Sequence, residues 1–182
     1  MKILAFAASN SRTSINRALV EFAAARLRAS HAPDAEVEFI DIHDFEMPIY
    51  SPEREAEGGV PAQAQAFLDK IGGADAVLVS FAEHNGFVTA AWKNLFDWMT
   101  RLGRNVWQEK PMVILAASPG GRAGAGVLES QEKLAPFFGG DLRGKHGVGP
   151  WAEAWDADAK TLKRAEDLAA LDQALAGLVE PR

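Results

Sequence analysis

Between Ala8 and Asn16 the chain reads Ala8-Ser9-Asn10-Ser11-Arg12-Thr13-Ser14-Ile15-Asn16, with three serines, a threonine, two asparagines and an arginine. No acidic side chain follows until Glu21. Hydroxyls and carboxamides donate hydrogen bonds, and a guanidinium adds a fixed positive charge, so a stretch of this kind suits an anion. An apolar run, Ile3-Leu4-Ala5-Phe6-Ala7, precedes it, and Ile15, Leu19, Phe22, Ala23 and Leu27 recur after it at helical spacing. That makes it a strand-to-helix turn, and a helix N-terminus carries unpaired N–H groups and partial positive charge. The plain alternative is that Ser14 or Thr13 caps the helix, as such residues commonly do. One cap leaves the surplus of donors and the missing acidity unexplained, which favours phosphate. A Walker loop and a dinucleotide fingerprint both need glycines, and this loop has none. A hydroxyl-rich loop instead suits a terminal monophosphate.

Two further stretches could do chemistry. Ala82-Glu83-His84-Asn85-Gly86 places polar groups and a glycine after an apolar run, and Ser118-Pro119-Gly120-Gly121-Arg122-Ala123-Gly124-Ala125-Gly126 is rich in glycine. Glycine lets a backbone approach a flat ligand and turn its N–H groups toward ring oxygens and nitrogens. His84 could protonate a substrate, but a turn residue placed by its backbone is the preferred reading. Glu83 could be a general base; before a helix it is better read as complementing a helix dipole or forming an ion pair. Ser118 lacks the Gly-x-Ser-x-Gly context of a nucleophile elbow, which argues against a hydrolase.

The elements that must position these turns alternate along 182 residues, a length suited to one α/β domain spanning 1–182. Hydrophobic residues at 48% and charged residues at 24% are ordinary for a globular chain. The absence of cysteine excludes disulfides and thiol chemistry. His31, His43, His84 and His146 show no metal-ligand spacing, so no metal is expected. A net charge of −6 argues against nucleic acid and anionic membranes as partners. Without a signal-peptide pattern or a ~20-residue apolar span, the expected location is cytoplasmic.

Glu36–Asp41 alternates polar and apolar residues as a half-buried strand does. Residues 42–59 read as an irregular excursion long enough to cover a site. Pro61 opens a helix bearing Ala64, Phe67, Leu68 and Ile71, closed by Gly72-Gly73. Residues 76–81 and 112–117 are nearly continuous apolar runs, expected as central parallel strands. Between them Val88, Ala91, Trp92, Leu95, Trp98, Met99 and Leu102 fall at helical spacing. Val127, Leu128 and Leu134 mark a helix ending near Gly139-Gly140. Leu142–Val148 is a weak, glycine-broken fifth strand, and Leu168, Leu171, Leu175 and Leu178 share one face of a last helix. Trp151 and Trp155 stand in an irregular segment, either as core or as a roof over a neighbouring subunit's site. The expected fold is a three-layer α/β sandwich on a five-stranded parallel sheet of order 2-1-3-4-5, flavodoxin-like. Ligands in that architecture lie beyond the C-terminal strand ends, at the switch between the first and third strands. A phosphate cradle in one turn and backbone ledges in two others describe a pocket for FMN.

In these turns the chain resembles the NAD(P)H-dependent FMN reductase family, flavodoxin-like flavoproteins that include quinone, azo-dye and chromate reductases. The family's first loop, Gly-Ser-x-Arg-x-x-Ser-x-Asn, is matched by Ala8–Asn16. Its Pro-Glu-Tyr-Asn-Gly-Ser turn is matched by Ala82-Glu83-His84-Asn85-Gly86-Phe87, and the following Lys-Asn-x-x-Asp-Trp helix by Lys93-Asn94-Leu95-Phe96-Asp97-Trp98. Its Ser-x-Gly-Gly turn is matched by Ser118-Pro119-Gly120-Gly121.

The resemblance implies that Ser9, Ser11, Ser14, Ile15 and Asn16 surround the phosphate. It places Glu83, His84, Asn85 and Gly86 along the isoalloxazine ring, and Ser118, Pro119, Gly120 and Gly121 over its opposite edge. Lys93, Asn94, Asp97 and Trp98 are assigned to helix packing and a subunit interface. Ala8, Ala82, His84 and Phe87 depart from the family's glycine, proline, tyrosine and serine, and Arg12 is displaced by one position. The implied activity is ping-pong hydride transfer from NADPH or NADH through FMN to a small-molecule electron acceptor, quinone-like, azo or other. No side chain is named as catalytic, because the cofactor carries the chemistry. A homodimer or homotetramer is expected from the Trp-rich helix. The alternatives are a flavodoxin-like electron carrier and a binding module that has lost its flavin.

Overall fold

Apolar runs that leave no polar face must be covered on both sides, and residues 76–81 and 112–117 are buried at every position. The computed structural model describes residues 1–180. In chain order the elements are β1 (Lys2–Ala8), α1 (Ile15–Ser30), β2 (Glu36–Phe39), a 3-10 turn (Ile42–Phe45), α2 (Pro52–Gly58), α3 (Ala62–Gly72) and β3 (Ala76–Phe81). The two-residue strands β4 (Glu83–His84) and β5 (Phe87–Val88) follow, then α4 (Ala90–Leu102), β6 (Pro111–Ala117), α5 (Ala125–Phe137) and β7 (Asp141–Val148). The chain continues with α6 (Trp151–Ala154), β8 (Trp155–Asp156), β9 (Thr161–Leu162) and α7 (Ala165–Ala176).

One parallel sheet of order β2-β1-β3-β6-β7 forms the middle layer. Counting only its members, this is the order 2-1-3-4-5, and the fold is flavodoxin-like. Alternation along β1 divides the core in two. Leu4, Phe6 and Ala8 join Phe67 of α3, Trp92 and Trp98 of α4 and Val127 of α5 on one face. Ile3 and Ala5 join Leu19 and Leu27 of α1 and Leu171 and Leu175 of α7 on the other. In-register pairing sets Ala8 beside Phe81 and Ala117 beside Val148, so the turns after β1, β3 and β6 leave one edge of the sheet.

Four details depart from the periodicity. Val88 lies in β5, and Leu102 and Leu134 are exposed, so these three do not belong to the buried helical faces assigned to them. The excursion after β2 is partly ordered into a 3-10 turn and α2, and it is fastened to α4. Asn94 accepts from the Tyr50 amide at 2.8 Å and donates to the carbonyl of Met47 at 3.0 Å, while Trp98 Nε1 donates to that of Pro48 at 2.7 Å. Trp92 and Trp98, from which self-association was expected, are both buried in the chain's own core. The fifth strand is a full eight residues, parallel to β6. Its glycines sit where backbone touches backbone: a Cβ on Gly147 would lie 2.3 Å from the carbonyl of Ala123, and one on Gly149, just past the strand, 2.4 Å from that of Gly120. Trp151 and Trp155 stack at 4.8 Å against the core's second face, with Phe22 edge-on to Trp155. No helix among the described residues is long and apolar enough to cross a membrane.

Candidate functional site

The first turn runs from Ser9 to Ser14. Ser14 caps α1, its hydroxyl accepting from the Arg17 amide at 3.3 Å. The capping reading therefore holds, and it leaves the rest of the loop's donors free for other work. Ser9 is buried and accepts from the Ser11 amide, while Asn10, Ser11, Arg12 and Thr13 are exposed. The amides of Ile15 and Asn16 open the helix, where no carbonyl of the preceding turn can reach them. Arg17 is committed to Glu21 and Asp41 at 2.9 and 3.0 Å, and Arg12 lies 3.2 Å from the ring of His43. No carboxylate projects from the loop itself.

Asn16 does something that its sequence position conceals. It is 2% exposed, and its carboxamide pairs with the backbone of Ala117 as another strand would. Nδ2 donates to the Ala117 carbonyl at 3.0 Å, and Oδ1 accepts from the Ala117 amide at 2.7 Å and from the Ser80 hydroxyl at 2.8 Å. Its side chain is spent on joining the first turn to the ends of β3 and β6. What remains toward the loop is its amide.

The second turn is a hairpin. Glu83 and His84 pair with Val88 and Phe87, and Asn85 and Gly86 take φ of 54° and 80°, both positive as a two-residue primed turn requires. Asn-Gly is the strongest short hairpin signal, but arms of two residues are too short to show alternation. His84 through Phe87 are exposed along it. Thr89 caps α4 and donates its hydroxyl to the carbonyl of Ala8 at 3.1 Å, which fastens the second turn to the first.

The third turn, from Ser118, is fastened to the second by Glu83. Gly124, the capping residue of α5, offers no side-chain acceptor, and Glu83 supplies one across space, its carboxylate accepting from the Val127 amide at 2.8 Å. The dipole that Glu83 complements is thus that of α5, not of the helix following its own turn. Gly126 makes room for this: a Cβ there would stand 2.7 Å from the Gly86 carbonyl and 3.0 Å from the Glu83 carboxylate. Ser118 exchanges backbone hydrogen bonds with Val148 and Trp151, and its hydroxyl accepts from Gly120. Pro119, Gly120 and Gly121 are exposed, and nothing lies within 4 Å of the place a Gly121 Cβ would take.

Behind this turn Arg164 donates to the Gly149 carbonyl at 2.9 Å and to Asp167 at 2.6 Å, with His146 3.4 Å from the same carboxylate. Burial pushes the His146 imidazole below its ordinary value of 6.5, against the pull of Asp167.

Asn16, Thr89 and Glu83 thus tie the three turns pairwise. The edge is a braced triangle with an anion-ready corner and two ledges of exposed backbone. Thr89 and the bracing role of Asn16 escape a reading of the sequence because their partners lie 81 and 101 residues away.

Comparison with known proteins follows the same line. The NADPH:quinone oxidoreductase of Arabidopsis thaliana is 35% identical over 126 residues, 69% of this chain and 61% of that protein. The 2-hydroxy-1,4-benzoquinone reductase of a Burkholderia species is 34% identical over 122 residues, 66% of this chain and 62% of its own length. In both, the matched stretch is less than two thirds of the relative. Among solved structures, the flavoenzyme NAD(P)H:(acceptor) oxidoreductase of Paracoccus denitrificans shares the fold, with a TM-score of 0.75, 24% identity, and coverage of 98% of this chain and 94% of that one. The profile of the NADPH-dependent FMN reductases matches residues 1–146, through all three turns, and the chain belongs to that family.

Proposed function

We propose that the protein is an NAD(P)H-dependent oxidoreductase that holds FMN across the three turns and serves a quinone-like, azo or other small electron acceptor. The observation that carries this is the pairwise bracing of the turns by Asn16, Thr89 and Glu83 at the sheet edge. The residues fit the group on two counts. The first turn pairs free hydroxyls and helix-opening amides with the absence of a carboxylate, as a phosphate monoester dianion needs. The second and third present exposed backbone at Gly86 and Gly121 with open space before it, as the edge of a flat ring needs.

Ser9, Ser11 and Ser14, with the amides of Ile15 and Asn16, would hold the phosphate. Glu83, His84, Asn85 and Gly86 would line one edge of the ring by backbone, and Ser118, Pro119, Gly120 and Gly121 the other. When bound, the flavin supplies two-electron exchange, first with the nicotinamide and then with the acceptor, in ping-pong order. The chain's part is to fix the ring and leave one face open for both substrates in turn. Quinone reductase activity in the two relatives supports a quinone-like acceptor.

Titration with FMN, followed by visible absorption, is the primary test. Saturable binding with a perturbed flavin spectrum, and NADPH oxidation that needs both FMN and a benzoquinone, are expected. Flavin binding without nicotinamide oxidation would mean an electron carrier, and a protein that binds no flavin would overturn the proposal.

A further inference from the structure

The third turn is supported from behind by a side chain far along the chain. Ser118 donates its amide to the Val148 carbonyl at 3.0 Å, and its carbonyl accepts from the Trp151 amide at 3.0 Å. The turn therefore rests on residues 148–151. Gly149 stands in the middle of that support, where a Cβ would meet the Gly120 carbonyl at 2.4 Å and the Ala123 Cα at 2.9 Å. Its own carbonyl accepts from Nη2 of Arg164 at 2.9 Å, 15 residues further on. The other arm of the same guanidinium, Nε, donates to Asp167 Oδ2 at 2.6 Å. Asp167 is 7% exposed, and His146 Nε2 lies 3.4 Å from its second oxygen. A guanidinium forked between two acceptors is fixed in plane and direction, and a buried carboxylate keeps it so. Ordering the start of α7, which Arg164 opens, needs only the arm to Asp167. The arm to Gly149 leaves that helix and reaches the support of the turn.

We infer that Arg164 is a positioning residue for the proposed flavin site: through the Gly149 carbonyl it sets where the third turn stands, and Asp167 holds it to that task. The inference rests on the reading of residues 118–121 as a ledge for the ring edge. Gly149 and Gly120 meet backbone to backbone, with no flexible side chain between them to absorb a displacement. A rotation of the Gly149 peptide is therefore passed on to Gly120, as close-packed groups transmit strain. The charged hydrogen bond from Arg164 is what opposes that rotation, and such bonds are about twice as strong as neutral ones. Arg164 and Asp167 lie past residue 146, where the match to the family profile ends, so the family match assigns them no role.

The test compares the full wild-type chain with Arg164→Met and Arg164→Lys in two measurements. Amide proton–nitrogen correlation spectra of the flavin-free protein report the turns directly. Arg164→Met should move the signals of Gly120, Gly121 and Ala123 and leave those of Ser11 and Ile15 in place. Fluorescence titrations with FMN and with riboflavin, which has the ring without the phosphate, report the ledge. Arg164→Met should weaken both about tenfold, the worth of one charged hydrogen bond. Lysine keeps the charge without the fork and should recover part of each loss. Should Arg164→Met unfold because Asp167 is left buried without its partner, the double variant Arg164→Met, Asp167→Asn carries the same comparison. Third-turn signals that stay put, or that move no more than those of the rest of the chain, overturn the inference. So does FMN binding that is unchanged, or that is lost while riboflavin binding is kept, since the effect would then lie at the phosphate. A wild-type chain that binds no flavin, with third-turn signals still moved by Arg164→Met, would refute the proposed function and leave the positioning of the turn standing.

Discussion

Asn16→Ala separates bracing from ligand contact. In the folded protein the Asn16 carboxamide makes three hydrogen bonds, two to Ala117 and one with Ser80, in a place almost closed to solvent. Alanine leaves the amide and carbonyl of Ala117 and the Ser80 hydroxyl facing a space the size of the lost carboxamide. Each buried orphan costs about 1–3 kcal/mol, and a water entering the gap recovers part of that. A net loss of about 3 kcal/mol, roughly a hundredfold in the folding equilibrium, is expected. With a urea dependence of about 2 kcal/mol per molar for a chain of this size, the unfolding midpoint should fall by about 1.5 M. Asn16→Asp should do no better, because a carboxylate would face the Ala117 carbonyl. FMN affinity should fall as the first and third turns drift apart, and it should fall in every variant that loosens the brace. Urea unfolding followed by circular dichroism, beside an FMN titration of each variant, decides the matter. A midpoint within about 0.3 M of wild type together with lost FMN affinity would refute this, and would make the carboxamide a direct phosphate ligand.

Three other outcomes follow from the same geometry. Glu83→Ala should destabilise the protein by about 1 kcal/mol through loss of the α5 cap, and Glu83→Gln, which keeps an acceptor, by less; urea midpoints would show the order. Gly126→Ala should displace the Asn85-Gly86 tip, because the added methyl would lie 2.7 Å from the Gly86 carbonyl, and FMN affinity should drop while α5 remains helical by circular dichroism. His146 takes up its proton more readily unfolded than folded, because burial holds its folded pKa below 6.5. Stability should therefore be lost as pH falls from about 7 through the folded value, and His146→Gln should flatten that part of a pH-dependent unfolding curve; an unchanged slope would count against the buried imidazole.

The sheet and its covering helices were legible because each declares itself locally. Residues 76–81 and 112–117 have no polar face to hide, and the 3.6-residue rhythm of Leu19, Ala23 and Leu27 or of Leu171 and Leu175 needs no tertiary knowledge. The three turns were legible for the same reason, through their hydroxyls and glycines. What joins them was not. Glu83 reads as an acid before its own helix, yet it caps one that begins more than forty residues later, and nothing near it in the chain hints at this. Trp92 and Trp98 read as surplus because a helix's own pattern cannot say how many aromatic neighbours will meet it. Here Phe6, Phe67, Phe81 and Trp107 surround Trp92, and Tyr50 meets Trp98. Val88 satisfied the helical rhythm by coincidence and belongs to a hairpin whose arms are too short to set a rhythm of their own.

The height at which the third turn stands is decided outside it. Gly147 and Gly149 act as a mould in which the backbone of Gly120 and Ala123 is cast, so a methyl group on either would lift the whole ledge away from the sheet. Transplanting residues 118–124 onto another flavodoxin-like scaffold would fail to reproduce their shape unless the bare stretch of the neighbouring strand travelled with them. Conversely, this ledge could be lowered or raised for a different ring without touching one of its own residues.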